Sequence, residues 1–438
     1  TYMQMNRHLK QLPLFLITQL VLCCQIALAT PADLSKAIAD DYQQHLSPLF
    51  KHFHQNPELS HLEFNTAKRL AEELKAAGFS VTTGVGKTGV VAILKNGPGP
   101  LVMMRADMDG LPVTEQTGLP GASKVRVTTA EGVETGVMHA CGHDGHTAML
   151  MGAARYLSQY RDFAGTVYVI FQPAEEGGGG AKRMIDDGLF QRFPMEAVFG
   201  MHNWPGVPAG HFGLTSGPIM ASSNEFRIVI HGKGAHGGMP HLGVDPVMTA
   251  VQLAQSLQTI ITRNRDPQDA AVLSITQIHT GSADNVVPDV AEMRGTVRTF
   301  TLETLDLIER RMREIAQHTC AALDCTMEFE FDRNYPPTIN HPAESAFCAE
   351  VIRDIVGAEN VNDHVTPTMG AEDFAFMLQE LPGCYVWIGN GDGSHRTIGH
   401  GLGPCMLHNG SYDFNDEVLP LGATYWVRLA TRWLARPR

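Results

Sequence analysis

The sequence predicts a two-domain α/β protein. A larger α/β domain with a central mixed sheet is interrupted by an inserted ferredoxin-like (βαββαβ) domain. Three observations carry this prediction. The 438 residues exceed the roughly 100–200 of one typical domain. Strand-like apolar runs alternate with helical spacing in both outer parts of the chain. Near Ser222 the rhythm changes to strand, helix, strand, strand, helix, strand over about a hundred residues, the split βαβ order.

In chain order, Arg7 and Lys10 precede a mostly apolar stretch from Leu12 to Leu28, and Ala27-Leu28-Ala29 has the small-x-small form of a cleavage site. Residues 1–29 are therefore expected to be a signal peptide, and the mature chain to be exported, periplasmic or secreted, with no membrane attachment after cleavage. Pro13, Thr18, Gln19 and Gln25 disfavour a spanning helix, and Leu22 is the wrong size to precede a lipid-bearing Cys23. Helical spacing runs from Leu34 to Gly78. Strands are expected at Gly89–Leu94, Leu101–Met104, Thr166–Phe171 and Ala197–Met201, with helices at Thr147–Tyr160 and Ala181–Gly188. These make the first part of the larger domain, residues 33–220. The insert spans 221–333. Its strands are Glu225–His231, Ala271–His279, Val290–Phe300 and Thr326–Phe331, and its helices Asp245–Arg263 and Leu302–Leu323. Residues 334–438 resume the α/β pattern with Glu344–Val356, Ala371–Leu381, Tyr385–Gly389 and Gly422–Ala435.

Composition excludes several functions. Hydrophobic residues are 44% and charged residues 18%, the balance of a globular chain. The 46 acidic against 33 basic residues leave −13, and no Lys/Arg-rich run is present, so nucleic acid is not an expected partner. Removing Cys23 and Cys24 with the signal leaves Cys141, Cys320, Cys325, Cys348, Cys384 and Cys405, irregularly spaced and too sparse for a disulfide scaffold; their pairing stays open.

The chemistry-bearing residues cluster after strands, where open α/β sheets bind ligands. His139 to His146 holds three histidines, Cys141 and Asp144 within eight residues, too dense in metal-binding types for an ordinary helix-capping loop. Glu175-Glu176 follows a strand. Alone it reads equally as a solvated acidic turn or as paired carboxylates, one ligating and one moving protons. The four glycines after it lack the Gly-Lys-Ser/Thr of a phosphate loop. His202 and His408 fall at the same predicted edge. His236 and Asn285 sit in glycine- or proline-shaped loops of the insert, which suggests exposed binding loops.

Taken in order, several segments resemble one family. They are Arg105-Ala-Asp-Met-Asp109, Met138-His-Ala-Cys-Gly-His-Asp-Gly-His146, Gln172-Pro-Ala-Glu-Glu-Gly177, Gly200-Met-His-Asn-Trp204, Gly232–Pro240, Met369-Gly-Ala-Glu-Asp-Phe374 and Leu407-His-Asn409. The chain resembles, from about Leu46 onward, the metal-dependent amidohydrolases related to aminoacylase and carboxypeptidase G, in the branch of hippurate hydrolase and the plant indole-acetyl-amino-acid hydrolases. The resemblance implies two divalent metal ions per subunit, with Cys141 bridging and His143, Glu176, His202 and His408 completing the ligands. It implies Glu175 as general base and acid, Asp109 orienting a ligand, and Asn285 and Arg298 holding the substrate carboxylate. Asp107 is kept out of the ligand set, because relatives outside this branch carry a histidine there. The insert is then a dimerisation and lid domain of a homodimer, with His236 reaching the partner's site. Cysteine with imidazole favours zinc, while carboxylate ligation also admits manganese, cobalt or nickel. The expected substrate is an N-acyl amino acid of hippurate, N-acetyl or aryl-acyl type. A metallo-dipeptidase or carboxypeptidase, or a non-catalytic exported metal-containing binding protein, are the alternatives. Gly110 for the usual alanine, Gly410-Ser411 for a proline, and a longer Ser123–Val137 distinguish the rim of this chain's site.

Overall fold

The computed structural model describes residues 31–129, 132–396 and 405–436. The expected signal peptide lies outside them. The chain opens with α1 (Pro31–Asp41), a π turn (Tyr42–Leu46), α2 (Ser47–Gln55) and α3 (Phe64–Ala76). The continuous helical spacing from Leu34 to Gly78 is thus broken twice. The longer break follows from Pro57, which cannot continue a helix, and from His61 in the left-handed region at φ 63°. Next come β1 (Ser80–Val85), β2 (Gly89–Asn96), β3 (Leu101–Asp107), a small hairpin of β4 (Arg126–Thr128) and β5 (Glu134–Gly136), α4 (His143–Gln159) and β6 (Gly165–Gln172). Then α5 (Gly180–Asp186), α6 (Leu189–Arg192), β7 (Val198–Pro205), β8 (Phe212–Gly213) and β9 (Gly217–Met220) complete the first part.

The insert runs β10 (Ser223–His231), β11 (Ala235–His236), α7 (Pro246–Thr259), β12 (Ala271–Thr280), β13 (Val286–Val287), β14 (Val290–Thr299), α8 (Leu302–Ala322) and β15 (Thr326–Tyr335). The chain ends with β16 (Thr338–Asn340), α9 (Pro342–Val356), β17 (Val361–Asn362), α10 (Ala375–Glu380), β18 (Gly383–Gly391) and α11 (Leu419–Leu434).

The main sheet has the order β1-β2-β6-β3-β7-β18-β8-β17. Its centre, β6-β3-β7-β18, is parallel and its margins carry antiparallel pairs, so it is mixed. Every residue of β6 is buried. Val167, Val169 and Phe171 enter the core under α4 and α11, while Tyr168 and Ile170 enter a second core on the opposite face. That two-sided burial explains why the strand reads as an unbroken apolar run. The insert forms an antiparallel sheet, β12-β14-β10-β15, packed by α7 and α8 around its own core of Ile228, Leu253, Met293 and Ile308. Two links, β9 entering and β16 leaving, pair antiparallel where insert and main sheet meet. No helix among the described residues is long and apolar enough to cross a membrane. All six described cysteines are buried and unpaired.

Candidate metal centre

The parallel strands β3, β6, β7 and β18 deliver the polar residues to one edge of the sheet. Strand β3 runs three residues beyond the expected Met104, so Arg105 and Asp107 are strand residues; Arg105 is fully buried. Helix α4 begins at His143, not Thr147, which puts His143 and His146 in its first turn. Its N-cap, Gly142, has φ +87°, and a Cβ there would lie 2.4 Å from Asn203 Nδ2 and 2.5 Å from the Tyr412 hydroxyl. Only glycine lets the backbone turn so tightly against those groups. His202 lies inside β7, opposite Trp387 of β18.

Cys141 Sγ is 3.3 Å from His202 Nε2. His143 Nε2 is 3.8 Å from Glu176 Oε1, and His408 Nε2 is 3.2 Å from the same oxygen. Candidate ligand atoms fall within 4.8 Å of one another in overlapping groups: Cys141, Glu176 and His408; His143, Glu175 and Glu176; and Asp107, His143, His146 and His202. His408 reaches the centre from a loop whose His408 N–H donates to the Ala140 carbonyl at 2.8 Å. All five residues expected as ligands therefore meet in one place. His143 Nε2 and Glu176 Oε1 are buried without a hydrogen-bond partner among the described residues. Orphaned atoms on a soft thiol, imidazole and carboxylate set are what a divalent ion would satisfy, so the residues fit one.

Asp109 accepts from Glu175 N at 3.2 Å, Glu176 N at 3.0 Å and the Ser60 hydroxyl at 2.7 Å, and lies 3.2 Å from His143 Nδ1. It thus orients the imidazole and both glutamate peptides at once. The Glu175 carboxyl is held well above the usual carboxylate range by burial and by Glu372 and Glu176. Burial, with Glu176 and Glu175 nearby, raises the Cys141 thiol as well. Burial opposes ionisation of Asp107, but His143 and Arg105 hold it well below its ordinary value.

A cavity of about 580 Å³ opens over these groups. Trp204, Met220, Met406 and Leu407 form apolar wall, and Arg298 of the insert lines it too. Arg298 is half-buried, which lowers its guanidinium pKa, and its Nε donates to Thr296 Oγ1. His236 and Asn285 do not line this cavity. They sit together at the β11–β13 pair, His236 ending β11 and Asn285 just before β13, where Gly237 N–H donates to the Asn285 carbonyl at 2.7 Å and His236 is exposed. Gly238 N–H donates to His236 Nδ1 at 3.0 Å, which leaves Nε2 of the neutral ring as the donor nitrogen.

Three groups near the centre received no role from the sequence. Asp107 shares the cluster, its carboxylate bound by Arg105 Nη1 at 2.8 Å and by His146 Nδ1 at 2.6 Å. Glu372 and Asp373 pack against Arg105, Glu372 at 2.8 Å; the Met369–Phe374 segment was the available signal. Tyr335 also lines the cavity, and nothing in its sequence context marks it.

The sequence profile of peptidase family M20/M25/M40 matches residues 103–432. A hippurate hydrolase of Campylobacter jejuni is 39% identical over 395 residues, covering 90% of this chain and 98% of that protein. A thermostable carboxypeptidase of Saccharolobus solfataricus is 39% identical over 386 residues, covering 87% and 93%. An N-acetylcysteine deacetylase of Bacillus subtilis is 38% identical over 380 residues, covering 86% and 93%. Among solved structures, a Bacillus subtilis dinuclear metal-binding peptidase of the M20 family superposes with TM-score 0.76 at 34% identity, covering 91% of this chain and 99% of that one.

Proposed function

This chain belongs to peptidase family M20/M25/M40, and from that premise we propose that it is an exported metal-dependent amidohydrolase that cleaves N-acyl amino acids. The observation that carries the reading is the placement of Glu175: its carboxylate lies within 4.8 Å of ligand atoms of His143 and Glu176 and faces the cavity that Arg298 also lines. Cys141, His143, Glu176, His202 and His408 would hold two divalent ions, zinc in the first place, with manganese, cobalt or nickel as substitutes. Bound there, such ions polarise the amide carbonyl and make water acidic enough to attack near neutral pH.

The chain's own residues do the rest. Arg298, which lines the cavity, binds the carboxylate of the amino-acid half, and the partner subunit's Asn285, carried beside His236, completes that grip. The wall of Trp204, Met220, Met406 and Leu407 takes the acyl group, which suits an aryl or alkyl acyl chain. Glu175 Oε receives a proton from the attacking water and returns it to the departing amine, a role its place in the cavity beside His143 and Glu176 allows. His236 of a partner subunit donates from Nε2 to the developing oxyanion, since its exposed position leaves it outside its own chain's cavity. The homodimer through the insert follows from that assignment. Export rests on residues 1–29, and N-terminal sequencing of protein released from intact cells is expected to begin at Thr30.

The test is amine release from N-benzoyl, N-acetyl and indole-acetyl amino acids and from plain dipeptides, with and without a chelator. Chelator-sensitive release from acyl amino acids is the expected result. Preference for dipeptides would favour the second reading, a small-peptide carboxypeptidase, which the similarity to the Saccharolobus enzyme supports. No release from metal-loaded protein would favour the binding-protein reading and overturn both.

A further inference from the structure

The loop that presents Glu175 is an unusual piece of backbone. Ala174, though it carries a Cβ, sits at φ 50°, in the left-handed region that side-chain-bearing residues avoid. Gly177 at φ +77° and Gly179 at φ +63° follow, and a Cβ on Gly178 would come within 2.7 Å of the Ala174 Cβ. The glycine run therefore folds the chain back on itself under the glutamate pair. Such a turn keeps its shape only where surrounding bonds hold it.

Most of those bonds come from the main domain. Ala174 N–H donates to Glu63 Oε1 at 2.8 Å, Gly177 N–H donates to the Glu175 carbonyl at 2.7 Å, and Gly180 N–H donates to the Ala174 carbonyl at 3.0 Å. One does not. The Tyr335 hydroxyl donates to the Glu175 carbonyl at 2.6 Å and accepts from Gly179 N–H at 3.1 Å, so a single phenol clips both ends of the turn. Tyr335 is the last residue of β15, the final strand of the insert, paired there with Ser223 at the insert's entry. Three residues later β16 begins the link back to the main sheet. Its ring is 8% exposed and meets Phe376 edge-on.

We infer that Tyr335 is a positioning residue for Glu175: it ties the insert's exit strand to the backbone of the proton-carrying glutamate, so that the carboxyl is held at its working place only when insert and main domain are in register. This rests on Glu175 being the general base. Tyr335 lines the same cavity, but its hydroxyl is taken up by the Glu175 carbonyl and the Gly179 N–H, so its effect passes through the Glu175 peptide.

The experiment compares Tyr335→Phe and Glu175→Gln in the full mature chain, measuring metal content, thermal midpoint, kcat and KM on an accepted acyl amino acid. Phenyl for phenol keeps the packing and removes both hydrogen bonds. The expected result for Tyr335→Phe is full metal content, a midpoint near that of the parent, KM within about threefold, and kcat lower by roughly ten- to a hundredfold, the scale of a slightly misplaced catalytic group. A kcat within threefold of the parent overturns the inference, and so does a loss of metal or fold that accounts for the lost activity, because the tie would then be purely structural. Glu175→Gln separates the two levels. If it stays active, the general-base reading fails; if it is inactive while Tyr335→Phe is not, only the inference about Tyr335 fails.

Discussion

Glu175 and Glu176 are chain neighbours with opposite surroundings. Glu176 points one oxygen toward His143 and His408, whereas Glu175 is crowded by Glu372 and Glu176 and faces the cavity. Glu175→Gln keeps the volume and removes the proposed proton carrier, so metal content should persist while kcat falls by about 10²–10⁴-fold, read by elemental analysis beside turnover. Cys141→Ala should reverse the order, losing metal before any other property changes. His54 gives a pH prediction outside the ligand set. Burial alone would lower its pKa, but hydrogen bonds to Asp144 Oδ2 at 2.8 Å and Glu115 Oε1 at 3.1 Å raise it to about 10. A histidine raised in the folded state stabilises fully below its unfolded value of 6.5, and that contribution is lost as pH rises through about 10. Against burial, His139 and then His54 hold Asp144 below its ordinary value and His54 does the same for Glu115, so their contribution is present above their ordinary values and disappears in acid. The thermal midpoint should therefore decline between about pH 7 and 10, and His54→Gln should flatten that decline while lowering stability by about 3 kcal/mol at neutrality. Equal slopes in the two proteins would refute it.

At the scale of elements, the first turn of α4 is where sequence and site are most tightly joined. His-Asp-Gly-His is a poor helix-forming stretch, which is why the apolar spacing alone begins the helix at Thr147. Tertiary bonds extend it: His146 reaches Asp107 on β3, and Asn203 N–H on β7 donates to His146 Nε2 at 2.9 Å. Gly142→Ala would force a Cβ into Asn203 and Tyr412 and strain a positive φ. The expected cost is about 1–3 kcal/mol of stability together with weaker metal retention during dialysis, because the shift moves Cys141 and His143. Unaltered metal retention would show that the turn relaxes without moving its ligands. The missed strand β1 is the other instructive element. Ser-Val-Thr-Thr-Gly-Val is too short and polar to stand out, and it forms because β2 offers it an antiparallel edge.

For the whole molecule, the exposed His236 decides between one-chain and two-chain sites. His236→Ala and Glu175→Gln should each be inactive alone. Mixing them under conditions that exchange subunits should restore about a quarter of parental activity, since half the dimers would hold one intact composite site. No recovery, with exchange shown by light scattering of tagged subunits, would place His236's role within its own chain.

The sequence by itself determined the α/β class, the ferredoxin-like strand order of the insert and the residue types of the centre. Each is written locally: the first two in apolar periodicity, the third in clusters such as His139–His146 and Glu175-Glu176. The five proposed ligands came from the resemblance that its motifs carry in order, and the fold brings those residues together. What the sequence left open was every relation between distant segments. That Arg105 binds Asp107 and Glu372 at once, that Arg298 reaches the cavity while His236 does not, and that Tyr335 grips the Glu175 turn across 160 residues are matters of tertiary geometry alone. A buried polar side chain shows its role through the partner it meets, and that partner is chosen by the packing of the sheet and the insert rather than by neighbours along the chain.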